Sequence, residues 1–165
     1  MRLTLIFLLL LTIGAPAAAE SISLGVFGFW GAFKKDKPKG CYAITAPQTG
    51  SRRQTGAAPS PAFASVAYWP ARNIRAQVHF RLSREKRGGS AVLLRIDDRM
   101  FQLVGGGSDA WAPGPAADAL IVAAMRSAVT MTVETRSATG ALVRDSYQLR
   151  GAPTAIDAAA VGCAR

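Results

Sequence analysis

The chain predicts a mainly β fold, an antiparallel sandwich or partly open barrel with one internal and one C-terminal short helix. Three observations carry that expectation. About eight short segments alternate apolar and polar residues with a period of two. Neighbouring segments are joined by short turns, which favours antiparallel pairing. Two stretches alone switch to helical spacing, so helices are left to cover an edge or an end of the sheet.

The elements follow in order. Residues 30–33 (WGAF) read as a first strand, after a stretch that mixes glycine with Phe27 and Phe29. Gly25, Gly28 and Gly31 stand three apart, which is not the dinucleotide-binding spacing. Residues 34–40 read as a charged turn containing Pro38, and residues 41–46 (CYAITA) as a second strand ending at Pro47. Residues 48–61 hold Gly, Ser, Pro, Gln and two arginines, with almost no apolar residue, and read as a long loop. Residues 62–69 form a strand stopped by Pro70. Over residues 74–82, Ile74, Ala76, Val78, Phe80 and Leu82 share one face, while Arg75, Gln77, His79 and Arg81 share the other. Residues 91–96 and 100–104 read as a hairpin around Asp97-Asp98-Arg99, closed by three glycines.

At residues 115–127 the period changes. Ala117, Leu120, Ile121, Ala124 and Met125 recur at helical spacing behind Pro113 and Pro115. Residues 129–135 and 142–149 return to alternation around Gly140 and read as two antiparallel strands. Residues 151–163 read as a short helix with Thr154 as candidate N-cap.

The N-terminus has the pattern of an export signal: Arg2, an apolar run over residues 3–13, then Gly14 and Pro16, and Ala17-Ala18-Ala19 before Glu20. That run is shorter than the roughly 20 residues needed to cross a bilayer. The expected organisation is therefore a signal peptide at 1–19 and one β-rich domain at 20–165. The expected location is periplasmic or envelope-associated, with no transmembrane span after cleavage. The formal net charge of +10 falls to about +9 once Arg2 is removed. Such an excess favours anionic partners: lipid headgroups, lipopolysaccharide, acidic polymers or nucleic acid.

Cys41 and Cys163 are the only cysteines. In an oxidising compartment two cysteines of one small domain usually pair, the alternatives being free thiols or an intermolecular bridge. There is no C-x-x-C, so a thioredoxin-type role is not expected. His79 is the single histidine. It is the one candidate base for a hydrolytic site, but no G-x-S-x-G or S-x-x-K motif supplies its partner. One histidine and two distant cysteines do not make a zinc site, and no EF-hand spacing surrounds Asp97-Asp98. No cofactor and no metal is expected.

Two basic groups are candidate anion-binding residues: Lys34, Lys35, Lys37 and Lys39 in one turn, and Arg81, Arg84, Lys86 and Arg87 in another. Arg52 and Arg53 add a third. The two main groups lack interleaved aromatics, and with the export signal this argues against nucleic acid. Trp111 follows a glycine run and precedes Pro113, which suggests an exposed loop and a candidate partner-binding position.

One family resemblance emerges from order and spacing. Trp30-Gly31-Ala32-Phe33 is followed by a basic turn, Cys41-Tyr42-Ala43-Ile44 and Pro47. Then come IDDRMFQL at 96–103 and Ala110-Trp111. Ala123-Ala124-Met125-Arg126, Met131-Thr132-Val133, Ser137, Gly140, Asp145, Tyr147, Leu149 and Gly151 follow, and Ala155-Ile156 and Cys163 close the series. Over residues 30–163 the chain resembles the invasion-associated locus B family of Gram-negative envelope proteins. The resemblance implies an exported, β-rich envelope protein with its two cysteines paired, and it offers no catalytic residues to carry over. The chain departs from the family pattern at Phe80-Arg81, where Gly-Tyr is common, at Asp97-Asp98, where Asp-Gly is, and in its arginine-rich central turn. Three functions are compatible with this reading. The first is a non-enzymatic protein that binds an anionic envelope component or an envelope protein. The second is an enzyme with an unfamiliar site near His79, and the third a structural or inhibitory domain docking through Trp111.

Overall fold

The computed structural model describes residues 21–48 and 61–164. The expected signal peptide, and residues 49–60 with Arg52 and Arg53, lie outside the described residues. Ten strands appear in chain order: β1 (Ser21–Phe27), β2 (Trp30–Asp36), β3 (Lys39–Thr45), β4 (Phe63–Trp69), β5 (Ile74–Arg81), β6 (Val92–Ile96), β7 (Arg99–Gly106), β8 (Asp109–Trp111), β9 (Thr130–Arg136) and β10 (Leu142–Gln148). The helices are α1 (Pro115–Ser127) and α2 (Ala152–Ala164). The strands form one open sheet, ordered β1-β2-β3-β4-β5-β8-β7-β6-β9-β10, and every pairing is antiparallel. The predicted class holds, with its internal and C-terminal helices.

Two strands escape the sequence pattern. In β1 the ladder shifts register between Ser23 and Gly25, and Gly25 has a positive φ of 139°. The bulge interrupts the alternation of SISLGVF, so the segment does not read as a strand. The other is β8, only three residues long, which puts Trp111 on a strand rather than a loop. The turn expected at 34–40 shrinks to Lys37-Pro38, because β2 runs on to Asp36 and β3 begins at Lys39. Thr154 is no cap: α2 starts before it, at Ala152.

The core lies on the face of the sheet that the helices cover. Trp30, Ala32, Cys41, Ala43, Ala64, Val66, Val78 and Phe80 are almost wholly buried there. Helix α2 brings Ala152, Ala155, Ile156, Ala159 and Cys163 to the core. Their spacing of three and four keeps them on one helix face, and alanine on both sides lets helix and strands approach closely. The Cys41–Cys163 disulfide fixes α2 to β3 across 122 residues of sequence. Helix α1 buries Ile121, Val122, Ala124 and Met125, but Leu120 is exposed, so its stripe is rotated from the one expected.

Although the sheet does not close, its two ends meet. The Phe29 N–H donates to the Arg150 carbonyl (3.1 Å), and the Gln48 N–H to the Ser146 carbonyl (2.8 Å). The Trp30 indole N–H donates to the Gln148 carbonyl (2.9 Å). This contact depends on glycine. Gly151 has φ +93°, and a Cβ there would overlap the Phe27 carbonyl oxygen.

Candidate functional site

The face of the sheet turned away from the helices carries the site. Strand alternation sends every second residue of the core strands outward. Register then lines these residues up across six strands. Gly31 pairs with Ile44, Ile44 with Ser65, Ser65 with His79, His79 with Trp111, and Trp111 with Val104. Neighbouring strands lie about 4.8 Å apart, so the row spans roughly 24 Å. Trp111 and Val104 are 37% and 58% exposed.

His79 sits inside this row. Its imidazole stacks on the Trp111 ring, with centroids 5.0 Å apart and 14° between planes, and the Phe63 ring meets it edge-on at 5.3 Å. Its Nε2 lies 2.8 Å from Asp109 Oδ1, the same oxygen that accepts from the Arg81 Nε–H at 3.0 Å. The β5–β8 pairing makes this possible, because it sets Arg81 opposite Asp109 and His79 opposite Trp111. The Ser65 hydroxyl donates to the His79 carbonyl, not to the ring (3.5 Å). Beneath the row, the Val78 N–H donates to the buried Asp118 carboxylate at 2.8 Å. Burial pushes the Asp118 pKa up, and this hydrogen bond partly offsets the rise. Asp118 thus anchors α1 to the strand that carries His79.

Beside the row runs an open groove of about 410 Å³, lined by Phe29, Phe33, Ile44 and Phe63, with the main chain of Gly28 and Gly31 as part of its wall. Phe33 stacks on Tyr42 at 5.6 Å, and the Lys35 ammonium lies 5.6 Å from the Tyr42 ring centre. At the groove's rim the Arg150 guanidinium covers Phe29 at 4.9 Å. Both are cation–π contacts.

The predicted basic groups fall at opposite ends of the strands. Lys34, Lys35, Lys37 and Lys39 lie around the β2–β3 turn, at the end of the sheet where Trp69 pairs with Ile74. Arg81 pairs with Phe63 at the other end, seven residues or roughly 23 Å along β5. Arg84, Lys86 and Arg87 continue beyond it, where the Lys86 N–H donates to the Gly107 carbonyl and the Arg87 N–H to the Arg136 carbonyl. Of the predicted site residues, the structure unites His79, Arg81 and Trp111 and separates the two basic groups. Sequence reading missed Phe63, Tyr42, Asp109 and Arg150. It also missed the contacts of cations with aromatics, because each cation meets a ring from a different segment: Lys35 of β2 meets Tyr42 of β3, and Arg150, beyond β10, meets Phe29. Among the described residues no group of three or more His, Cys, Asp or Glu side chains gathers as a metal would require.

Comparison with known proteins gives a fold and no more. No family model matches the sequence, and no curated protein matches it either. The crystal structure of invasion associated protein B from Bartonella henselae superimposes with a TM-score of 0.61, covering 88% of this chain and all of that one at 16% identity. The chain therefore has a fold like that of invasion associated protein B, as the order of its sequence motifs implied.

Proposed function

We propose that this chain is an exported envelope protein that binds an anionic envelope component and catalyses no reaction on it. One observation carries the reading: the outer face of the sheet interleaves aromatic rings with Lys35, Arg81 and Arg150. The rest of the chain agrees in sign, with 20 Lys and Arg against 10 Asp and Glu. Export rests on the pattern at residues 1–19, and the envelope on the likeness in fold. The surroundings of His79 suit a fixed ring better than a proton shuttle, because Trp111 takes one face, Phe63 an edge and Asp109 a nitrogen.

The test uses protein lacking residues 1–19, lipopolysaccharide micelles and phosphatidylglycerol vesicles at low ionic strength. Binding is expected, with affinity falling steeply as salt rises from about 50 to about 200 mM. No detectable binding to either probe at low salt would sink the reading.

The 2.8 Å His79–Asp109 contact favours one rival, a hydrolytic site with His79 as base. A hydrolytic activity that His79→Ala abolishes, in a variant that still folds, would establish that rival.

A further inference from the structure

We infer that the outer-face row is a binding site for an anionic polysaccharide chain, whose sugar rings lie on Trp111 and Phe63 and whose acidic groups meet Arg81 and Arg150. The inference deepens the proposed function and rests on it.

Shape and chemistry both point to this ligand. The site is a shallow strip, continuous from the 410 Å³ groove at Phe29 and Phe33 through Phe63 to His79 and Trp111. A strip of roughly 24 Å suits an extended polymer better than a compact small molecule. Its rings are held rigidly. Trp111 is braced by His79, and Phe63 by the same imidazole, so their exposed surfaces need no ordering when a ligand arrives. Rigid aromatic surfaces suit the apolar faces of sugar rings.

The polar groups select further. Arg81, which shares its charge with Asp109, and Arg150, over the Phe29 ring, place guanidinium groups at two places along the strip. Asp109 is the discriminating residue. His79 and Arg81 both meet its Oδ1, so Oδ2 is left to accept from a ligand hydroxyl. A carboxylate at this point repels the closely spaced phosphates of a nucleic acid but serves a hydroxyl-rich chain with scattered acidic groups.

The experiment titrates oligogalacturonate into the protein lacking residues 1–19 by calorimetry, with neutral dextran, an oligothymidylate and phosphatidylglycerol vesicles as comparisons. Oligogalacturonate is expected to bind and dextran to bind far more weakly. Trp111→Ala and Arg81→Gln should each weaken binding about tenfold or more. Trp111→Phe, which keeps a ring and guards against a folding artefact, should retain most of the affinity. Arg95→Gln removes the same charge from exposed β6 and should change nothing. Should Trp111→Ala behave like Arg95→Gln, the site is wrong although the protein still binds anions. If oligothymidylate or vesicles bind and oligogalacturonate does not, the ligand class is wrong. If no anionic probe binds at all, this inference and the proposed function fall together.

Discussion

The outer face of the sheet has two halves with opposite chemistry. Over β2 to β5 and β8 the outward positions include the rings of Phe33, Tyr42, Phe63, His79 and Trp111, with Ile44 among them. Over β6, β9 and β10 they carry no aromatic ring: apart from Leu93 and Leu142 they are polar or charged, and two cross-strand pairs satisfy one another. Thr132 and Ser146 share a hydrogen bond of 3.2 Å, and the Arg144 Nε–H donates to Glu134 at 2.7 Å. Both halves belong to the same antiparallel sheet, and both lie over buried residues on the opposite face. Pairing and core burial therefore do not require aromatics on the outside. The polar half shows what such a face looks like when it only has to meet water, and the aromatic half exceeds that need.

The contrast between the halves vanishes if the outer aromatics are structural after all. Stability should instead come from beneath them, and four changes measure it. Replacing both cysteines with serine frees α2 from β3 and should cost about 3–5 kcal/mol in urea unfolding, since the closed loop exceeds a hundred residues. Gly151→Ala should cost about 2–3 kcal/mol and loosen the Phe29–Arg150 rim, because the new methyl group meets the Phe27 carbonyl and φ is positive. A shift in the melting temperature reports it. Trp111→Ala should cost less than about 1 kcal/mol, as the ring is partly exposed at a short strand. A loss above about 2 kcal/mol would make Trp111 a structural residue and erase the contrast between the halves. In the polar half, Arg144→Gln should cost only a few tenths of a kcal/mol, because its ion pair with Glu134 is solvent-exposed. It should also leave oligogalacturonate affinity unchanged.

Much of the fold was legible because alternation is local. In β5 the two faces read directly: Val78, Phe80 and Leu82 went inside, and His79 and Arg81 went outside. The hairpin around Asp97-Asp98, helix α1 and the Cys41–Cys163 pair were legible for similar reasons of spacing or compartment. Strand β1 was hidden by its bulge at Gly25, and β8 is too short for any period to show. The site was legible only in pieces. His79, Arg81 and Trp111 each stood out, but for three different jobs, because what unites them is the β5–β8 register across some thirty residues of chain. No local pattern specifies such a pairing. Grouping the basic residues by closeness in sequence misled in the same way. Neighbours along a turn are not neighbours on a face, and the residues that put cations beside rings came from separate strands.

The disulfide's long span has a consequence for how the chain is assembled. Strands β1 to β4 hide their inner face beneath α2, a helix that emerges last among the described elements. Until it arrives, Trp30, Ala32 and Ala43 have no roof, and a newly made chain carries an unroofed apolar sheet for most of its synthesis. Contacts so remote in sequence form slowly and leave sticky intermediates. A chain cut short before Ala152 would keep its aromatic face in sequence yet lack the means to hold it flat, and an export route that delivers residues in order would have to shelter the strands until their cover follows.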